Sequence, residues 1–161
     1  MVYNEIGNTT WVQSPLANPS IVPYAGNHAA YLDRENVGPL APIPSNWLIT
    51  PQFNCPNGGQ LKFYSRLTFP GDFGGIYKIK IAPVTNPLVP VQNLAWVDLV
   101  APMGELEINP SQLEYVEKQF GIPSAYTGQQ IRIAFIMQGD EKDRWLIDDV
   151  MVTEKCLIQS T

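Results

Sequence analysis

The chain holds one histidine, His28, in the run Tyr24-Ala25-Gly26-Asn27-His28-Ala29. A Ser-His-Asp or Cys-His centre needs such a base. No G-x-S-x-G elbow accompanies it, and no Walker loop, dinucleotide fingerprint or H-E-x-x-H helix occurs in the sequence. His28 therefore reads as a loop or strand-edge residue. A facing carboxylate pair can hydrolyse a glycosidic bond, but the 15 Asp and Glu residues supply many chance pairs and their spacing selects none. No catalytic set is assigned, and the expectation is a protein that is not an enzyme.

The strongest local signal is Trp145-Leu146-Ile147-Asp148-Asp149-Val150-Met151-Val152. Strand alternation puts Asp148 with Leu146, Val150 and Val152, which reads as the core face. A buried carboxylate must be hydrogen-bonded, paired or bound to metal. Backbone N–H groups, an arginine such as Arg144 or Arg66, and a metal ion are the three partners open to it. Asp149, on the opposite face, reads as solvated unless a bulge turns it inward. Two loop aromatics, Phe69 and Phe73, offer a stacking platform for sugar; packing within the loops is the plainer alternative. Cys55 and Cys156 can form one disulfide or stay as two buried thiols, and the sequence leaves both open. With one histidine they do not make a zinc site.

Net charge is −5, from 10 Lys and Arg against 15 Asp and Glu, and no basic run occurs. This argues against nucleic acid as a partner and is compatible with a hard cation such as Ca²⁺. No apolar run reaches the ~20 residues of a membrane-spanning helix, and no leader pattern is present. The chain starts almost directly on a strand-like segment. It is expected to be a single module over 1–161, excised from a larger secreted multidomain protein, with Met1 as an expression start.

What positions these residues is a series of short strands. In Gln60–Leu67, Leu61, Phe63 and Leu67 share a face while Lys62 and Arg66 take the other. In Ile76–Ala82, Tyr77, Ile79 and Ile81 alternate with Lys78 and Lys80. In Gln130–Met137, Ile131, Ile133, Phe135 and Met137 alternate with Arg132 and Ala134. Trp47–Thr50, Ala95–Val100 and Trp145–Thr153 add apolar runs, with weaker ones at Thr10–Gln13 and Ala29–Asp33. The separators carry turn chemistry, as in Asn57-Gly58-Gly59 and Pro70-Gly71-Asp72. The fold class is all-β, a jelly-roll sandwich of two antiparallel sheets. One short helix is expected near 110–120: Asn109 suits its N-cap, Pro110 its first turn and Gly121 its end, with Leu113, Val116 and Phe120 at helical spacing.

The blocks Asn46-Trp47-Leu48-Ile49-Thr50-Pro51, Gly128-Gln129-Gln130-Ile131-Arg132-Ile133-Ala134-Phe135 and Ile147-Asp148-Asp149-Val150 stand in an ordered series. Between and before them come Gly26-Asn27-His28-Ala29 and Trp96-Val97-Asp98-Leu99. The series resembles the cleaved-adhesin or choice-of-anchor J family, relatives of the MAM-like jelly rolls with a galactose-binding-like fold. The resemblance implies a secreted or cell-surface module for carbohydrate binding or cell adhesion. Its partners would be a glycan or an extracellular protein ligand, and the neighbouring domains of the parent chain. The alternative is a spacer domain with no ligand but a structural Ca²⁺. By motif match the resemblance places that Ca²⁺ on Glu5 of the opening strand and Asp148 of the closing one, with Asn27 completing the site. Ser45-Asn46 replace the acidic residue that the family carries before its Trp-Leu-Ile-Thr-Pro block.

Overall fold

A computed structural model describes residues 1–6, 9–14, 21–38 and 42–154. Eleven strands form among them: β1 (Val2–Ile6), β2 (Val12–Gln13), β3 (Ala30–Leu32), β4 (Ser45–Ile49), β5 (Phe53–Asn54), β6 (Gly59–Arg66), β7 (Ile76–Pro83), β8 (Val97–Met103), β9 (Val116–Gly121), β10 (Gln130–Gln138) and β11 (Trp145–Glu154). They make two antiparallel sheets. The first runs β1-β4-β10-β7-β8, with β5 pairing the start of β10, and the second runs β2-β3-β11-β6-β9. The expected two-sheet sandwich is therefore the fold, and non-consecutive neighbours such as β4-β10 and β11-β6 carry the crossed connections of a jelly roll.

The inner faces are those that the alternation assigns. Leu61 and Phe63 of β6, Tyr77, Ile79 and Ile81 of β7, and Ile131, Ile133, Phe135 and Met137 of β10 are all buried in one cluster. Burying such a side chain contributes about 1.5–3 kcal/mol, so this cluster dominates stability. Trp145 sits at its centre, with ring centroids 4.9 Å from Tyr77 and 5.5 Å from Trp11. Its indole N–H donates to Ser65 Oγ at 2.9 Å, which meets the one polar need of a wholly buried ring.

Two sequence expectations are corrected. The stretch expected as a helix near 110–120 is a turn followed by strand. The one α-helix among the described residues, α1, spans Glu105–Ile108, and Asn109 caps its C-terminal end. Asn109 then closes a tight turn, donating its side-chain amide to the carbonyls of Gln112 and Glu114, and the chain runs into β9. Val116, Lys118 and Phe120 are half-buried while Glu117, Gln119 and Gly121 are exposed, a period of two. Val116 and Phe120 are four residues apart, a spacing shared by helix turns and strand alternation, which is why it misled.

The second correction concerns Asp148. In β11 the core face belongs to Trp145 and Ile147, so Leu146 and Asp148 lie on the outer face. Between Asp148 and Met151 the register with β6 shifts, with Asp149 at φ 52°; this is a bulge of one extra residue. Beyond it Val152 packs on the main core. Uniform alternation across residues 145–152 inverts the face because it counts straight through that bulge.

Candidate functional site

The two outer faces differ. On the first sheet, Trp47, Ile49, Ala134 and Ile136 point outward and are buried, because Val91 and Trp96 of the β7–β8 connection pack over them. Trp96 locks there with its ring 5.6 Å from Trp47 and its indole N–H donating to Val91 O at 2.8 Å. On the second sheet only part of the outer face is covered. Ile21 and Ala29 close over Tyr31 and Leu146, with Tyr115 at the margin.

The rest of that face is built by β6, β9 and the segment 21–29. Alternation along β6 turns Lys62, Tyr64 and Arg66 outward, and the register sets Glu117 beside Tyr64 and Asp148 on its other side. Tyr24 lies flat on Tyr64, centroids 3.7 Å apart and planes 10° from parallel, and meets Tyr115 edge-on at 5.7 Å. Three rings thus join in one cluster, and Tyr24 is 46% exposed. Lys62 and Arg66 flank it, at 5.8 Å from the Tyr64 ring and 5.9 Å from the Tyr115 ring.

The polar groups here hold the rings in place. Tyr64 donates its hydroxyl to Glu117 Oε2 at 2.9 Å, and Glu117 also pairs with Lys62 at 3.5 Å. Hydrogen bonding to Tyr24 and then to Glu117 pushes the Tyr64 hydroxyl pKa up, while the Tyr64 bond lowers that of Glu117, so Glu117 stays ionised. Tyr115 donates to Val22 O at 2.6 Å, and burial followed by the Asp148 charge lifts its pKa to about 12. Asp148 fixes the segment that carries Tyr24. Its Oδ2 accepts Ala25 N–H at 3.0 Å, and its Oδ1 accepts Asp149 N–H at 2.8 Å. Backbone N–H groups, one of the partners open to Asp148 in the sequence, thus engage it, and among the described residues it pairs with neither Arg66 nor Arg144.

The other expected site residues lie on different elements. Glu5 is exposed on β1, the edge of the first sheet; Asp148 lies within the second; Asn27 is exposed in the segment 21–29. No hydrogen bond links Glu5 to either, and no group of three His, Cys, Asp or Glu gathers for a metal among the described residues. Ca²⁺ takes about six to eight oxygens, more than these three side chains alone supply. His28 is exposed and its Nδ1 shares a hydrogen bond with the Ser14 carbonyl at 2.9 Å; no carboxylate orients it. Cys55 is buried, which raises its thiol pKa. Cys156 lies outside the described residues.

Phe69 and Phe73 do meet, edge to face at 6.2 Å. However, the Phe69 ring already carries the Arg34 and Arg144 guanidinium groups, at 5.3 and 4.9 Å. Their loop is pinned from below by two wholly buried carboxylates. Asp143 accepts the N–H groups of Thr68 and Phe69 at 3.1 Å, and Glu105 accepts those of Phe73 at 2.8 Å and Gly75 at 3.2 Å. Sequence reasoning missed Tyr24, Tyr115, Asp143 and Glu105. The signal for the face was nevertheless present, since Tyr64 falls between Lys62 and Arg66 on the outward side of β6.

The architecture is a two-sheet antiparallel β-sandwich of jelly-roll type. This is the fold of carbohydrate-binding modules and of cleaved-adhesin domains. The K1 cleaved-adhesin domain of Lys-gingipain from Porphyromonas gingivalis W83 is 20% identical, with a TM-score of 0.66 over 97% of this chain and 90% of that one. TmCBM61, solved in complex with β-1,4-galactotriose, is 18% identical, with a TM-score of 0.59 over 96% and 88%. The CBM22-1 xylan-binding domain from Paenibacillus barcinonensis is 12% identical, with a TM-score of 0.52 over 94% and 83%. No protein-family model and no curated protein matches the chain.

Proposed function

We propose that this chain is a non-catalytic glycan-binding module of an extracellular protein, and that its platform is the Tyr24–Tyr64–Tyr115 cluster on the outer face of the second sheet. The observation that carries this reading is Tyr24 stacked flat on Tyr64 with its outer side open to solvent. A rigid, exposed ring is what the apolar face of a pyranose packs on, and the neighbouring Lys62, Glu117, Gln119 and Arg66 supply hydrogen bonds for its hydroxyls. The ring is held before any ligand arrives, which lowers the ordering cost of binding. The fold shared with carbohydrate-binding modules and adhesin domains supports the same reading, and adhesion through surface glycans is its natural use. The secreted or cell-surface setting belongs to the proposal.

The test is a glycan array followed by affinity electrophoresis of the wild type, Tyr24→Ala and Tyr64→Ala. The expected result is binding by the wild type and loss of at least about tenfold in each variant, with melting temperatures close to wild type. Binding that survives both substitutions would place the site elsewhere. An array without any signal would favour a spacer role.

A further inference from the structure

Two cations and two acids share this face, Lys62 and Arg66 against Glu117 and Asp148, but only Lys62 and Glu117 pair with each other. Lys62 has Glu117 at 3.5 Å. Glu117 has Lys62, the Tyr64 hydroxyl and the Gln119 amide. Asp148 has two backbone N–H groups. Arg66 uses Nε alone, donating to Leu113 O at 2.8 Å, and makes no ion pair among the described residues. Arg66 is half-buried with its guanidinium beside the Tyr115 ring, and its two terminal amino groups have no acceptor among the described residues. Among the described residues only Lys62, Lys80 and Arg144 make ion pairs, so what distinguishes Arg66 is its place beside the tyrosine cluster.

We propose that the glycan taken by this face carries a carboxylate, as a uronate sugar does, and that Arg66 receives it. This inference rests on the reading of the face as a glycan platform. A guanidinium presents a planar fork that matches a carboxylate with two parallel hydrogen bonds, and a charge-assisted pair of this kind is stronger than hydroxyl recognition. The geometry also fixes an orientation. Arg66 and Tyr64 are two residues apart on one side of β6, about 7 Å along the strand. A ring stacked on the Tyr24–Tyr64 pair therefore brings its own substituent, or that of its neighbour, to the fork. The opposite orientation would drive the carboxylate toward Glu117. The acid group therefore lies at the Tyr115 end, where the Asp148 carboxylate is already engaged by the Ala25 and Asp149 amides and Arg66 supplies the open fork.

The probes are an oligogalacturonate, the same oligomer as its methyl ester, and a neutral β-1,4-galactan, titrated by calorimetry into the 161-residue chain. The expected result is a preference for the acid over the ester of about tenfold or more, weakening as salt rises. Arg66→Gln should abolish the preference. Arg66→Lys, which keeps the charge but not the fork, should lose most of it. Near-UV circular dichroism shows that each variant is folded. Equal affinity for acid and ester, or a preference untouched in Arg66→Gln, overturns the proposal while leaving the platform intact. If Tyr24→Ala and Tyr64→Ala bind the acid as the wild type does, the platform itself is wrong, and this inference falls with it.

Discussion

The Oδ2 atom of Asp148 accepts the backbone N–H of Ala25 at 3.0 Å, joining two residues 123 positions apart in sequence. That bond ties the segment carrying Tyr24 down to the central strand of the second sheet. The outward turn of Asp148, which its neighbours in sequence conceal, thus sets the geometry of the aromatic face.

Asp148→Ala removes both acceptors and leaves the Ala25 and Asp149 amides to water, so it should destabilise the fold by about 1–3 kcal/mol. Asp148→Asn keeps one acceptor oxygen and should cost less than half as much. Urea unfolding measures both. Hydrogen exchange at the Ala25 amide should quicken in the alanine variant ahead of the core, and an exchange rate equal to wild type would remove the anchoring role.

Calcium removal should leave the melting temperature unchanged, because Glu5, Asp148 and Asn27 are spread over two sheets and a loop. A structural ion at a hundredfold excess over its dissociation constant would contribute about 2.7 kcal/mol. That is a shift of several degrees for a domain of this size, large enough to see. A drop of that order on adding EDTA, restored by Ca²⁺, would show a site that these residues do not display.

Gly75→Ala should be destabilising. An added Cβ would come within 2.9 Å of Glu105 Oε1 and 3.2 Å of the Tyr77 hydroxyl oxygen, and both side chains are wholly buried. The backbone gain from losing a glycine is about 0.4–1 kcal/mol. Overpacking costs about 1–3 kcal/mol and therefore wins. Thermal melting should show the loss, and a stabilised variant would mean that Glu105 gives way easily.

The stability difference between wild type and Glu105→Gln should shift with pH. Burial is the main influence on Glu105 and raises its pKa; the amides of Phe73, Asp143 and Gly75 oppose it, and the charge of Asp143 adds to the rise. With the folded pKa above the unfolded one, the favourable contribution is fully present below the unfolded value and is lost as pH rises through the folded value. Wild type should therefore weaken relative to the glutamine variant from the ordinary carboxyl range upward. Denaturation midpoints taken at half-unit pH steps would show this, and parallel curves would contradict it.

Much of this molecule is legible in its residues, for a physical reason. Strand β6 alternates buried and half-buried positions, and β7 nearly so, which lets period-two patterning map onto inside and outside; in β10 the outward Ala134 and Ile136 are buried as well, beneath Val91 and Trp96. Reading fails where geometry departs from a single period. The bulge at Asp149 inverts the face of Asp148, and the even spacing of Val116 and Phe120 suits a strand as well as a helix. Tyr24 and Tyr115 are far apart in sequence and lie in no strand, so only the folded chain brings them to Tyr64. Asp143 and Glu105 look like surface charges because acids usually are; their burial depends on loop amides that no local pattern announces.

The roof that Val91 and Trp96 put over the first sheet gives the molecule a front and a back. Leu88, in the same connection, is 87% exposed. A resin linker or a dye attached there would leave the tyrosines of the other sheet facing outward, and every copy would be mounted the same way round.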